Sequence, residues 1–454
     1  MDFSPQARIL QLGDGFYDRV APADFPHAII RFRNDRAAAE VGLEGLSDAE
    51  WIERFARFRP FEGSLPEPLA LRYHGHQFRV YNPDIGDGRG FTFAQLRDAG
   101  GRLMDFGTKG SGQTPWSRFG DGRLTLKGGV REVLATEMLE ALGVNTSRSF
   151  SLIETGEALH RGDEPSPTRS SVLVRLSHGH IRIGSFQRLA TLQDDAGLDA
   201  LARYALAELY GAAPGEDPAL QLFGYVVERT ARLAASYMAA GFVHGVLNSD
   251  NINVTGESFD YGPWRWTPIW DPRFTAAYFD QQGLYAFGRQ AQAIHWDVAQ
   301  LAIALSRIAE VEALAAELDR FPALYEAALV PGLLQRLGVR PRGEAEDLAL
   351  ADAMVGALQS GTVTIDRFFF DWRGGTNRHP NAAYDQPAFR AFAAAVRGYA
   401  PAVALDHPYW SDPEPCSMHI EEVEAIWAPI AETDDWSLFT AKVAAIRRMG
   451  EALA

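Results

Sequence analysis

The chain holds a single cysteine, Cys416, among 454 residues. One thiol makes no intramolecular disulfide and no cysteine-based zinc site, which fits a reducing compartment. Basic charge is also scarce. Lys and Arg number 43 against 59 Asp and Glu, a formal net charge of −16. An acidic surface repels phosphate backbones and anionic headgroups, so neither nucleic acid nor a membrane surface is an expected partner. No apolar run reaches the roughly 18 residues of a membrane span. Met1-Asp2-Phe3-Ser4 lacks a basic stretch leading into an apolar one, so no signal peptide is predicted and a cytoplasmic location is expected. The sequence also lacks repeats, low-complexity tracts, a G-x-S-x-G elbow and a Walker A loop.

What is present suits a large globular core, with 46% hydrophobic residues. At about 150 residues per domain, two or three domains are expected. Strand-like runs alternate with glycine turns at Phe78–Tyr81, Gly90–Leu96 and Leu103–Thr108. Val130, Val133, Leu134, Met138 and Leu142 then recur at helical spacing, predicting a helix from about Lys127 to Leu142 that stops at Gly143. Strand character returns at Ser149–Glu154 and Ser171–Leu176. Leu222, Val226, Leu233 and Tyr237 predict a buried helix ending at Gly241, followed by short runs at Ile252–Val254 and Ser258–Tyr261. From Ile294 onward the pattern is helical. The expectation is an α+β fold with a strand-rich lobe over residues 1–190 and a helical lobe over 191–454. Ligands commonly occupy the cleft between two such lobes.

The most informative stretch is His244-Gly245-Val246-Leu247-Asn248-Ser249-Asp250-Asn251. Set against the kinase catalytic loop H-R-D-x-x-x-x-N, Val246 occupies the place of the base and Asn251 that of the metal-binding Asn. Asp260-Tyr261-Gly262 follows and reads as a variant of D-F-G. Asn and Asp supply hard oxygen ligands of the kind magnesium prefers. Valine accepts no proton, and Asp250 is the nearest carboxylate that can, from a different direction. A turn rich in Asp and Asn is the plainer alternative.

Lys109 ends a strand-like run, and Glu132 lies on the helix that follows. A lysine so placed reaches phosphates, and a glutamate on that helix can orient it, as the β3 lysine and αC glutamate do in kinases. Gly86-Asp87-Gly88-Arg89-Gly90 and Asp121-Gly122-Arg123 are turns whose backbone amides can approach an anion. Arg175 and Arg182 flank Ser177-His178-Gly179-His180 and can grip the end of a triphosphate. Two pairs, His74-Gly75-His76 and His178-Gly179-His180, lack the companions and spacing of a zinc site. Trp264, Trp266 and Trp270 are expected to pack in the core, and Cys416 to be buried or incidental.

Together these motifs resemble the selenoprotein O family of protein adenylyltransferases. The resemblance rests on His74 through Phe78, Gly86 through Arg89, Lys109-Gly110, Thr114 through Arg118, Gly120 through Arg123, Arg131-Glu132, His180 through Arg182, His244 through Asn251, and Asp260 through Pro263. These run from about residue 70 to 300. The resemblance implies a bilobal protein-kinase-like fold binding ATP in a flipped orientation, with the γ-phosphate toward Lys109, Arg175 and Arg182. AMP then passes to Ser, Thr or Tyr hydroxyls of proteins and pyrophosphate leaves. In that family Asp250 is the proton acceptor, and Asn251 and Asp260 hold Mg2+, with Mn2+ as an alternative. Gly86, Gly88, Arg89, Asp121 and Gly122 contribute to nucleotide binding.

The chain departs from the family at Lys127-Gly128-Gly129, where Arg-Ser-Ser is usual, at Trp116, where Tyr is common, and at His407-Pro408-Tyr409-Trp410 near the end. Cys416 lies too far from the C-terminus to match the family's terminal selenocysteine or cysteine. A monomer is expected. Ordinary γ-phosphoryl transfer and a non-catalytic nucleotide-binding scaffold are the rival readings.

Overall fold

The structure is a computed structural model that describes residues 2–162 and 164–454. Its first half is organised by a nine-stranded antiparallel sheet. Those strands are β1 (Ser4–Gln6), β2 (Tyr17–Arg19), β3 (Ile29–Arg33), β4 (Leu69–Leu71), β7 (Thr92–Arg97), β8 (Leu103–Lys109), β9 (Leu124–Thr125), β10 (Arg148–Leu159) and β11 (Thr168–Ser177). The order is β2-β4-β7-β8-β11-β10-β3, with β1 on β7 and β9 on β11. A separate hairpin joins β5 (Gly75–Gln77) to β6 (Val80–Asn82).

Every residue of β8 is buried because both faces of the sheet are covered. On one face α1 (Asp35–Glu40) buries Ala37 and Ala38, and α2 (Asp48–Phe55) brings Trp51 onto Phe150 and Phe55 onto Phe93, Phe106 and Phe150. On the other lies α3 (Leu126–Ala141), whose Val130, Val133, Leu134 and Met138 are fully buried, as their spacing predicts. Thr125 caps α3 by accepting from the Gly128 amide, which fixes the first turn after β9.

The second half is helical: α4 (Ile183–Thr191), α5 (Asp195–Tyr204), α6 (Pro218–Ala240), α7 (Gln290–Leu305), α8 (Val311–Leu318), α9 (Phe321–Leu337), α10 (Glu344–Leu358), α11 (Ile365–Asp371), α12 (Pro387–Val396), α13 (Ile420–Thr433) and α14 (Ser437–Leu453). The central α6 starts with Asp217 as cap and Pro218 in its first turn, and it stops at Gly241 in the left-handed conformation. A short β12 (Phe242–Val243) and β13 (Arg265–Trp266) pair beneath it. Trp264, Trp266 and Trp270 are core residues, as expected.

The last two helices return to the strand-rich half. Arg447 of α14 makes two 2.7 Å hydrogen bonds to the Glu137 carboxylate on α3, and Lys127 reaches Glu424 of α13 at 2.7 Å. Asp434, just past α13, accepts from Arg169 of β11 at 2.6 Å and from Arg31 of β3 at 3.0 Å. No helix of the described residues is long and apolar enough to cross a membrane.

Two sequence expectations shift. The run Phe78–Tyr81 is not one strand, because Phe78 and Arg79 form the hairpin turn, with φ of 50° and 64°. Ile252–Val254 and, apart from Asp260, Ser258–Tyr261 are buried but make only single bridges, Arg182 to Asn253 and Thr146 to Ser258. Their apolar character reflects packing of a loop in the interior, which a pattern of hydrophobicity alone does not separate from a strand.

Candidate active site

A cavity of about 680 Å³ lies where the sheet meets the helical half, a size suited to a nucleotide. Gly86, Gly88, Arg89, Lys109, Asp121, Gly122, Arg175, Arg182, Asp250 and Asp260 all line it. Glu132 and Asn251 do not. Glu132 stands behind Lys109, and Asn251 is the neighbour of Asp250 in the single turn Ser249–Asn251. Tyr73, Gln77, Trp116, Arg118, His160 and Arg161 also line the cavity; Gln77, Trp116 and Arg118 fall in motifs that carry the family resemblance, whereas nothing in the sequence context of Tyr73, His160 and Arg161 singles them out.

Its inner end is cationic and buried. Lys109, at the end of β8, is paired with Glu132 of α3 and lies 2.9 Å from an Asp260 oxygen. Arg175 on β11 is 4% exposed and stands 3.6 Å from the same carboxylate, and its Nε and one terminal nitrogen have no hydrogen-bond partner. Arg182 is fixed by three acceptors: the Asp87 carboxylate at 3.0 Å, the Tyr73 hydroxyl at 3.0 Å and the Asp250 carbonyl at 3.1 Å. Asp87 was visible only as the middle of a glycine turn, yet it also accepts from the Leu71 amide at 3.0 Å and so ties the turn to β4.

Burial works to raise the Asp260 carboxyl, but Lys109, Arg175, Arg182 and Arg89 outweigh it and hold the group well below the usual carboxylate range. Asp250 behaves oppositely. Burial lifts its carboxyl to about 6, against the pull of Arg182. One Asp250 oxygen is buried without any partner. Val246, in the position of the kinase base, lies outside the cavity lining, and its carbonyl accepts from the Asn251 amide nitrogen at 3.1 Å.

The mouth is built by glycine turns. Gly86 admits no side chain, since a Cβ there would sit 2.5 Å from the Trp116 ring. Asp121 is clasped by Arg161 through bonds of 2.8 and 3.0 Å, which sets the outer lip. The residues fit a magnesium ion held with a nucleotide. Asp260 and Asn251 offer hard oxygens, and the Asn251 bond to Val246 commits its nitrogen rather than its oxygen. Among the described residues no three His, Cys, Asp or Glu side chains form a ready metal cage. Magnesium does not need one, because it takes one or two protein ligands together with phosphate oxygens and water.

Strand-borne Lys109, helix-borne Glu132, the loop to Asn251 and then Asp260-Tyr261-Gly262 follow the order of a protein kinase around one cleft. The profile of the protein adenylyltransferase SelO family matches residues 1–389. The chain belongs to this family. It is therefore a nucleotidyltransferase, and the family match extends well past the 70–300 region that carries the motifs.

Among curated relatives, a protein nucleotidyltransferase YdiU of Synechocystis is 48% identical, covering 76% of this chain and 73% of its own. Another, from Gloeobacter violaceus, is 42% identical over 99% of this chain and 95% of its own. The solved structure of ROP2 from Toxoplasma gondii, described as a virulence factor with a protein-kinase fold and no enzymatic activity, is a remote likeness. It covers 67% of this chain and 84% of that one, with 14% identity and a TM-score of 0.26.

Proposed function

We propose that the chain transfers AMP from ATP to Ser, Thr or Tyr hydroxyls of proteins, between a strand-rich lobe at 1–190 and a helical lobe at 191–454. The observation that carries this reading is the division of labour in the cleft. Buried Lys109, Arg175 and Arg182 gather at one end, while Asp250, and not residue 246, presents the carboxylate. A triphosphate entering past the glycine turns puts its terminal phosphate on the buried cations, where Arg175 has two unused nitrogens for it. That orientation, γ-phosphate inward, is the reverse of a kinase's and leaves the α-phosphate beside Asp250.

Asp250 takes the proton of the acceptor hydroxyl as its oxygen attacks the α-phosphorus. The bond from that phosphorus to the β-bridging oxygen breaks, and pyrophosphate leaves against Lys109, Arg175 and Arg182. Asn251 and Asp260 would hold Mg2+, or Mn2+, whose charge neutralises phosphate oxygens when bound. Glu132 keeps Lys109 in place, and Asp87 with Tyr73 keeps Arg182 in place.

The test is incubation of the protein and candidate acceptors with magnesium and ATP labelled on either the α- or the γ-phosphate. Covalent label from α alone is expected. Label from γ alone would make the protein a kinase, and no label with ATP still bound would make it a scaffold.

A further inference from the structure

The β5–β6 hairpin is bolted to the loop that carries Asp250. The His76 amide donates to Ser249 Oγ at 2.7 Å, and the Phe78 amide donates to Asn248 Oδ1 at 3.0 Å. Gly75 lies so close that a Cβ there would be 2.8 Å from an Asp250 oxygen. Gln77 lines the same cavity as Asp250. The position of the hairpin tip is thus locked to the proposed proton acceptor.

That tip is unusual. A two-residue hairpin turn with both residues left-handed favours Asn-Gly, because a Cβ crowds the backbone there. Here the two places hold Phe78 and Arg79. Such backbone persists where the surroundings hold it, often at functional surfaces. The consequence is that bulky side chains project outward. Phe78 packs on Phe279 and Tyr285 with ring centroids 5.8 and 5.1 Å apart, and Tyr278 packs on Phe279 at 5.1 Å. Yet Phe78 is 37% exposed, Phe279 46%, Val80 70% and Tyr278 84%. Arg79, in the same tip, is exposed over Trp296, and no carboxylate of the described residues pairs with it. A guanidinium without a salt-bridge partner, set among exposed aromatics, is the composition of a protein-binding hot spot, and it is the cation of the hairpin tip in a chain with net charge −16.

We propose that this patch is the docking site for the acceptor protein, and that it selects an extended segment carrying a large apolar side chain and a carboxylate near the hydroxyl residue. The apolar side chain lies on Phe279 and Tyr278, and the carboxylate pairs with Arg79. The patch is continuous with the cleft through Gln77, so a residue a few positions along an extended segment spans from Asp250 to the aromatics. The inference rests on the AMP-transfer reading and specifies its substrates.

A peptide library with a central Ser, Thr or Tyr and randomised flanks tests it, with α-labelled ATP and three proteins: the wild type, Tyr278→Ser/Phe279→Ser and Arg79→Glu. The wild type is expected to label peptides with an aromatic or large aliphatic neighbour at least about tenfold better than those without. The double variant is expected to lose that ratio while labelling apolar-free peptides as the wild type does. Arg79→Glu is expected to shift the preference from acidic to basic neighbours. Unchanged ratios in both variants, with α-label still entering peptides, overturn the docking site and leave AMP transfer standing. Absence of α-label from every peptide and protein overturns AMP transfer and the docking site with it. A wild-type dimer in sedimentation that the double variant disperses also overturns the proposal, because a second copy then covers the patch.

Discussion

Arg175 and Arg373 are both almost wholly buried, at 4% and 1% exposure, yet they spend their hydrogen-bond donors differently. Arg373, just after α11, gives its terminal nitrogens to the carbonyls of Gln335 and Arg336 at 2.6 and 2.9 Å and of Leu453 at 3.0 Å. Those carbonyls end α9 and α14, where orphan acceptors and the negative pole of the helix dipole welcome a cation. Arg175 has no such acceptors. It faces the cavity, 3.6 Å from Asp260, with two nitrogens unused. A buried cation whose terminal nitrogens are taken by helix ends, with only its Nε unmatched, braces the fold, whereas Arg175, with Nε and a terminal nitrogen unmatched at the cavity wall, is on the proposed reading there for the triphosphate. The neighbouring carboxylates divide in the same way. Asp260 is compensated by cations, and Asp250 is not.

The largest effect expected within this contrast belongs to Asp250. Asp250→Ala should lower α-label transfer by about 10²–10⁴-fold, the range for loss of a general base. ATP binding, measured by calorimetry, should stay near wild type, because the Arg182 bond at this position goes to the backbone carbonyl. Full transfer by the variant would remove Asp250 from the chemistry.

The two arginines are separated by paired substitutions. Arg175→Met should weaken ATP binding by about 10–100-fold, the value of one or two charge-assisted hydrogen bonds, without lowering the melting temperature. Arg373→Met should leave ATP binding intact and lower stability by about 3 kcal/mol, since helix-end carbonyls lose their donors. Calorimetric binding and denaturant unfolding on both variants check the assignment, and the reversed pattern would invert it.

The raised Asp250 carboxyl gives a pH signature. Burial keeps it protonated below about 6, where it accepts no proton, and free above. Transfer should therefore climb about tenfold per pH unit below 6 and level off above it. Asp250→Asn should flatten that limb in whatever residual rate remains. A limb that persists in the variant belongs to another group.

How much of this was legible in the sequence depends on the range of the interaction. The helix at 126–141 could be read from Val130, Val133, Leu134 and Met138, and the end of α6 from Gly241, because spacing and capping act within a few residues. The kinase order of Lys109, Glu132, Asn251 and Asp260 was legible because each residue type carries its chemistry with it. Asp87 and Tyr73 were not singled out, since their role is to hold Arg182 from 95 and 109 positions away. The return of α13 and α14 onto α3 was invisible for the same reason: Arg447 and Glu137 are 310 positions apart and individually look like solvated charges. The hairpin turn at Phe78-Arg79 was hidden by its own composition, because neither residue signals a turn.

The smallest effect expected on transfer concerns Glu257, a buried carboxyl away from the cleft. It is 3% exposed and accepts from the His178 amide at 2.9 Å. Burial lifts it from 4.5 to about 8, against the pull of Arg102 and Arg148. The folded state therefore keeps a proton that the unfolded chain has already released. Stability from this group is fully present below about 4.5 and is lost as pH rises through about 8, since the folded state binds more protons across that window. Gln has the shape of the protonated acid and nothing to ionise. Glu257→Gln should match the wild type near pH 4.5, then gain over it steadily, reaching roughly 4–5 kcal/mol at pH 8 for the full shift. Transfer activity should not change. Melting curves at several pH values for both proteins decide it: a gap that narrows with rising pH would mean that Glu257 is charged in the fold, and that Arg102 and Arg148 compensate it as Lys109 and Arg175 compensate Asp260.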